Sequence, residues 1–290
     1  MIERMNALEV IPNALGFYFL GQVGLAIKGP DGTIYIDPYL SDYAGPTRPR
    51  VTRNFPPPLE PNRITNASAV LISHDHIDHF DPETLTPISI ASPQAVFVGA
   101  HTCDFASLGI SDERWGHPHV LEPFMVGGAS ITAIPSAHTD LERNGDGLER
   151  FTYLGYVIQW NGVTVYHAGD TVIWDGNDPN LQDVPATDRL RQGLIGLLSS
   201  IKIDVAFVPI NGRDYFRTAQ GILGNTDFRE AAELAEAIAA KVIVPTHFDL
   251  FARNAADPGH FVSYLHRLNP NRSHKIMRPG ELFYYLCETQ

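Results

Sequence analysis

Short apolar runs, each closed by a polar or turn-forming cluster, recur along the chain and predict its strands. Gly16–Leu20 and Gly24–Ile27 read as a strand pair, and after a Gly29-Pro30-Asp31-Gly32 turn the run Thr33–Ile36 ends at Asp37. Ala69–Ile72, Ala95–Val98, Ala129–Ile134, Asp204–Val208 and Lys241–Val244 read as buried strands. Leu154–Trp160 and Val163–Tyr166 flank Asn161-Gly162, a strong hairpin signal. Helical spacing takes over at 188–199, where Leu190, Leu194, Leu197 and Leu198 share one face. A second helix starts at Asp227, with Glu230 set for a capping box and Ala231, Leu234, Ala235 and Ile238 facing inward. Asp81-Pro82-Glu83 reads as an N-cap followed by proline at the first helical position, and a short helix closes near Gly109. Strands alternating with helices and a few hairpins predict an α/β fold, a sandwich of mixed sheets with helices outside. The two hairpins echo one another, ending at Asp37 and at Asp170. The echo predicts one domain over 1–290 built of pseudo-duplicated halves, about 1–125 and 126–290. A proline-rich insertion at 38–63, with Arg48, Arg50 and Arg53, interrupts the pattern as a lid, an oligomer contact or a surface loop.

Composition narrows the picture. With 44% hydrophobic and 19% charged residues, the chain of 290 is an ordinary globular protein with a sizeable core. Cys103 and Cys287 match no metal or redox spacing, which points to a cytoplasmic chain without disulfides. The N-terminus shows no signal-peptide pattern, and the apolar stretch Val10–Ile27 is too broken by Pro12, Asn13, Gln22 and glycines to span a membrane. A formal net charge of −12 disfavours nucleic acid and anionic membrane as partners. A small, anionic substrate remains compatible, because divalent ions reverse the local field. A homo-oligomer is expected.

The densest chemistry is Ser73-His74-Asp75-His76-Ile77-Asp78-His79, directly after a buried strand. In an extended chain His74 and His76 point the same way and can grip one ion, while Asp78 and His79 lie past the strand end and can reach a second. His138, Asp170 and His247 also follow apolar strands, where α/β folds gather functional groups. The natural partition gives His74, His76 and His138 to one ion and Asp78, His79 and His247 to the other, bridged by Asp170. Imidazole and carboxylate suit manganese, zinc or iron. Two such ions, about 3.5–4 Å apart, can hold a shared water as hydroxide near neutral pH. His167, His117, His119, His260, His266 and His274 read as packing histidines, and His101 as a substrate-site candidate. Asp37 and Asp75 are expected beside the ligands rather than on the ions.

The HxHxDH block at 74–79, followed by His138, Asp170 and His247, resembles the metallo-β-lactamase superfamily over about residues 16–284. The resemblance implies a four-layer αβ/βα sandwich with a binuclear centre at one edge. Within the superfamily the chain looks most like the L-ascorbate-6-phosphate lactonase family. That likeness rests on Ile72–His79, Tyr166-His167-Ala168-Gly169-Asp170, Asn211-Gly212-Arg213, and Pro245-Thr246-His247-Phe248-Asp249 with Ala256-Asp257-Pro258. At position 138 this chain has His where some lactonases have Asp. The function implied is opening of a phosphorylated sugar lactone, with Asp170 and Asp78 as catalytic carboxylates and Arg213 and Asn211 as substrate contacts beside His101. The alternatives are a metal-dependent phosphodiesterase on a small or lipid-like substrate and a non-enzymatic metal-binding protein.

Overall fold

The computed structural model describes residues 1–43, 52–138, 151–175, 192–212, 219 and 224–287. Two mixed seven-stranded sheets dominate them. The first contains β1 (Ala14–Gly21), β2 (Gly24–Lys28), β3 (Thr33–Ile36), β4 (Ala67–Ile72), β5 (Val96–Gly99) and β6 (Trp115–Gly116). The second contains β7 (Pro123–Val126), β8 (Ala129–Pro135), β9 (Leu154–Trp160), β10 (Val163–His167), β11 (Val205–Pro209), β12 (Val242–Thr246) and β13 (Ser273–His274). The chain then returns to the first sheet, where β14 (Leu282–Leu286) pairs antiparallel with β1. In the first sheet the order is β14-β1-β2-β3-β4-β5-β6, antiparallel as far as β3 and parallel beyond it. In the second, β7-β8-β9-β10-β11-β12-β13 repeats that change of sense at β10.

The inner faces of the sheets share one apolar core. Phe17 of β1 meets Phe207 of β11 with ring centroids 5.3 Å apart, and the Tyr156 hydroxyl of β9 donates to the Ile72 carbonyl of β4 at 2.8 Å. Strands such as β1, β4 and β11 are buried almost throughout, which is why they read as unbroken apolar runs.

The helices are α1 (Ile2–Asn6), α2 (Pro82–Ala91), α3 (Gly193–Ser199), α4 (Phe228–Ala237) and α5 (Pro258–Leu268) among the described residues. Asp81 caps α2 by accepting from Glu83 N–H, with Pro82 in the first turn. Asp227 and Glu230 form the expected capping box of α4, and Ala231, Leu234 and Ala235 are its buried face. The turn near Gly109 is a 3₁₀ helix closed by that glycine at φ 73°. The helix expected at 188–199 is described from Gly193, and Leu190 lies outside the described residues.

Part of the proline-rich insertion, 44–51 with Arg48 and Arg50, is outside the described residues. The remainder is seated on the chain near the ligand block. Tyr39 clusters with Leu250 and Phe251, and Phe55 and Ile77 pack on them. Arg53 pairs as a β-bridge with Phe251, and its guanidinium donates to the carbonyls of Tyr39 at 2.8 Å and Phe55 at 3.1 Å.

Candidate metal centre

The site forms where strands of both sheets end. After β4 the chain passes through Ser73 and His74 to His76, then turns as the N–H groups of His79 and Phe80 donate to the His76 carbonyl at 2.9 and 2.8 Å. That turn brings the His79 ring back to 4.1 Å from the His74 ring, centroid to centroid, as close as the 4.4 Å between His74 and His76. From the second sheet come His138 after β8, Asp170 after β10 and His247 after β12.

The structure brings these seven residues together in three overlapping groups, in each of which ligand atoms lie within 4.8 Å of one another. The groups are His74, His76 and His138; His74, His79 and Asp170; and Asp78, His79 and His247. Asp170 Oδ2 lies 3.3 Å from His247 Nε2, 3.5 Å from His138 Nε2 and 3.6 Å from His79 Nε2. It therefore faces ligands of both outer groups.

Hydrogen bonds on the far side of the rings fix which nitrogen faces inward. Asp37, fully buried at the end of β3, accepts from Ser73 N–H at 2.7 Å and from the Ser73 hydroxyl at 2.6 Å. With that hydroxyl proton committed, Ser73 Oγ can only accept, so His74 Nδ1–H donates to it at 2.9 Å. His79 Nδ1 lies 2.9 Å from Asp37 Oδ2, and His138 Nδ1 lies 2.8 Å from the Gly224 carbonyl. Each ring thus offers its Nε2 to the centre, the arrangement by which outer partners orient metal-binding imidazoles.

The inward atoms test whether metal ions fit. His74 Nε2, His79 Nε2 and Asp170 Oδ1 are buried and have no hydrogen-bond partner among the described residues. Buried polar atoms left so are costly, and several aimed into one space call for a cation. The donor set is imidazole and carboxylate without thiolate, which suits manganese, iron or zinc. The residues fit the group.

The charges of the side chains agree. Burial would raise the Asp170 carboxyl, but His247, His79 and His138 outweigh it and hold the group ionised, well below the usual range. Burial would lower His79, but Asp170 and Asp37 outweigh it and hold its imidazolium well above the ordinary value. His74 is pushed well below by burial and by the neighbouring His79 and His76. Burial also lowers His76 and His138.

The other expected site residues lie further out. Asp37 contacts His79 directly, whereas Asp75 is exposed. Asn211 accepts from Asn225 at 2.9 Å and bridges to Asp227, and His101 Nδ1 lies 3.2 Å from the Phe151 carbonyl. Arg213 lies outside the described residues. His167 is a packing residue: Nε2–H donates to the Val23 carbonyl at 2.8 Å and Nδ1 accepts from Gly169 N–H.

Two residues at the site escape sequence reasoning. Tyr153 is 5% exposed, and its ring stands 5.2, 5.8 and 5.6 Å from those of His74, His76 and His138. Gln22, in the turn between β1 and β2, donates to Asp78 Oδ2 at 2.6 Å. A buried tyrosine in an aromatic-rich chain carries no signal. For Gln22 the only one was a polar residue inside an apolar stretch.

Comparison with known proteins agrees with this geometry. A family model described as the beta-lactamase superfamily domain matches residues 33–248. A metal-dependent hydrolase of Thermococcus kodakarensis is 26% identical over 273 residues, covering 91% of this chain and 96% of that protein. Among solved structures, a metallo hydrolase from Ignicoccus hospitalis superposes with a TM-score of 0.68 at 19% identity, covering 95% of this chain and 100% of its own. An isothiocyanate hydrolase from Delia radicum gut bacteria gives 0.66 at 18%, covering 93% and 98%. Because the family match runs from the strand that ends at Asp37 to the residue after His247, and so takes in every proposed ligand, this chain belongs to the beta-lactamase superfamily.

Proposed function

We propose that this protein is a metal-dependent hydrolase with two divalent ions, manganese, zinc or iron, and that it opens a lactone, of the phosphorylated-sugar class handled by ascorbate-6-phosphate lactonases. The observation that carries the reading is the shared Asp170, whose carboxylate faces His79, His138 and His247 while the buried Nε2 atoms of His74 and His79 point inward without a hydrogen-bond partner among the described residues. Names of relatives such as the Thermococcus protein support the hydrolase class. The lactone assignment rests on the four stretches of closer sequence likeness.

When bound, such ions would acidify a water and polarise an ester carbonyl. The chain's own residues do the rest. Three imidazoles, their Nδ1–H groups tied to Ser73, Asp37 and Gly224, hold their Nε2 atoms in fixed positions and leave little rearrangement to the reaction. Asp170, ionised and held among three rings, can orient an attacking water by accepting its hydrogen bond. Asp78, grouped with His79 and His247, supplies the second carboxylate. Tyr153 packs beside His76, and the seated part of the insertion packs on Ile77.

The test is elemental analysis of the purified protein, followed by assays of its manganese, zinc and iron forms on lactone and phosphodiester panels. Two ions per chain and turnover of lactones, lost in Asp170→Ala, are expected. Turnover of phosphodiesters with lactones untouched would replace the substrate class, and absence of any metal-dependent turnover would remove the enzyme reading altogether.

A further inference from the structure

The turn between β1 and β2 is tied to the centre more heavily than a hairpin turn requires. Gln22 is 1% exposed and stands at φ 57°, a left-handed backbone that costs an ordinary side chain free energy unless its surroundings hold it there. Its backbone is held at both ends, since N–H donates to Asp249 Oδ1 at 2.9 Å and the carbonyl accepts from His247 N–H at 2.6 Å. His247 is itself at φ 58°. The carboxamide then reaches two proposed ligands of the same ion. Its Nε2 lies 2.6 Å from Asp78 Oδ2 and 3.2 Å from His247 Nε2, and its Oε1 is buried without a partner among the described residues.

These contacts are asymmetric across the centre. Asp78, His79 and His247 come from a loop of the first sheet and a strand end of the second, and the Gln22 side chain bridges two of them. The rings of His74, His76 and His138 have no such link to Gln22 among the bonds described. A carboxylate swings freely about its last torsion. Fixing Oδ2 by an amide N–H leaves Oδ1 as the oxygen free to face an ion, in the way that outer hydrogen bonds orient ligating carboxylates.

We propose that Gln22 is a positioning residue for the Asp78–His79–His247 half of the centre, holding Asp78 through its carboxamide so that the second ion finds its carboxylate already aimed. This rests on the two-ion reading given above. Gln22 acts through Asp78, and the hydrogen bond to His247 Nε2 gives way when an ion takes that lone pair.

Gln22→Met tests the idea, because it keeps the length of the side chain and both backbone hydrogen bonds but removes the amide. Metal-free protein would be titrated with zinc by calorimetry, alongside thermal melts of the metal-free form. Wild type should take two equivalents. Gln22→Met should take one with unchanged affinity and the other about 10–100-fold more weakly, with little change in the metal-free melt. Asp78→Ala should abolish the same step, and adding Gln22→Met to it should leave the remaining step unaffected. Two wild-type steps in Gln22→Met would overturn the inference, as would equal weakening of both. Failure of Gln22→Met to fold would also overturn it, by showing the amide to be structural. Fewer than two equivalents in wild type would instead bring down the two-ion reading, and this inference with it.

Discussion

Asp37 shows how much of the site is decided one residue away from the ligands. It stands at φ 44°, is fully buried, and its carboxylate holds Ser73 and His79 together. Asn tolerates the same left-handed backbone but lacks the charge. Asp37→Asn should therefore fold and bind metal about 10–100-fold more weakly, measured by competition with a chelator; unchanged affinity would show that His79 needs no such partner. Asp170 and His167 lie three positions apart and should separate cleanly. Asp170→Ala should lose ions from both groups, whereas His167→Ala should keep its metal and lose roughly 1–3 kcal/mol of stability from the unpaired Val23 carbonyl. Equal metal loss in the two would reverse these roles. The charges of these side chains also predict a pH profile for metal-stripped protein. His74, His76 and His138 are lowered, so the unfolded chain takes up protons more readily as pH falls below about 6.5, and stability drops there. His79 is raised, so its contribution is complete below about 6.5 and is lost as pH climbs through the folded value. Metal-stripped protein should thus melt highest near pH 6.5, and added metal should remove the alkaline fall because the ion displaces the His79 proton. A flat profile without metal would contradict these charges. The residues that gather at the centre were legible in the sequence because they follow buried runs and five ionisable residues crowd 74–79. Gln22 was not, because its partners Asp78 and His247 are 56 and 225 positions away and meet it only where the sheets join.

At the scale of elements, the loops behind the strand ends are as constrained as the ligands. Gly169, at φ 59°, precedes Asp170, and a Cβ there would come within 2.7 Å of the Leu154 carbonyl and 2.8 Å of Ser73 Cβ. Gly169→Ala must push the Asp170 loop away from the Ser73–His74 segment, each of which carries a proposed ligand. It should lower thermal stability and weaken both zinc-binding steps, and a variant with wild-type titration would show the loop to be pliable. Asp227→Ala is the contrast, because its carboxylate caps α4 by accepting from the N–H groups of Arg229 and Glu230. It should cost about 0.5–2 kcal/mol with metal content intact. Elements with strong local signals were readable: the Asn161-Gly162 hairpin, the Asp227–Glu230 box, and strands buried on both faces. β6 and β13, of two residues each, are too short to carry a period, and half-buried β14 alternates too weakly to announce a strand.

On the scale of the whole molecule, the repeated strand order explains why the ligands converge. Both sheets change from antiparallel to parallel after a hairpin, at β3 and at β10, and the residues that follow those strands, Asp37 and Asp170, sit on opposite sides of His79. The likeness of the hairpins was visible in the sequence, but the return of β14 to the first sheet was not, since pairing across the full chain leaves no local mark. The pairing of Ala14 with Leu286 has a consequence for how the protein is made. The ribosome releases β1 early and β14 only after a further 286 − 14 = 272 residues, roughly 14–54 s later at about 5–20 residues/s. Throughout that interval the nascent first sheet presents the bare edge of Ala14–Tyr18, the kind of surface that recruits strands from other chains. Newborn protein should accordingly depend on holding chaperones until its last strand docks, and translation stalled before Leu282 should leave an aggregation-prone chain.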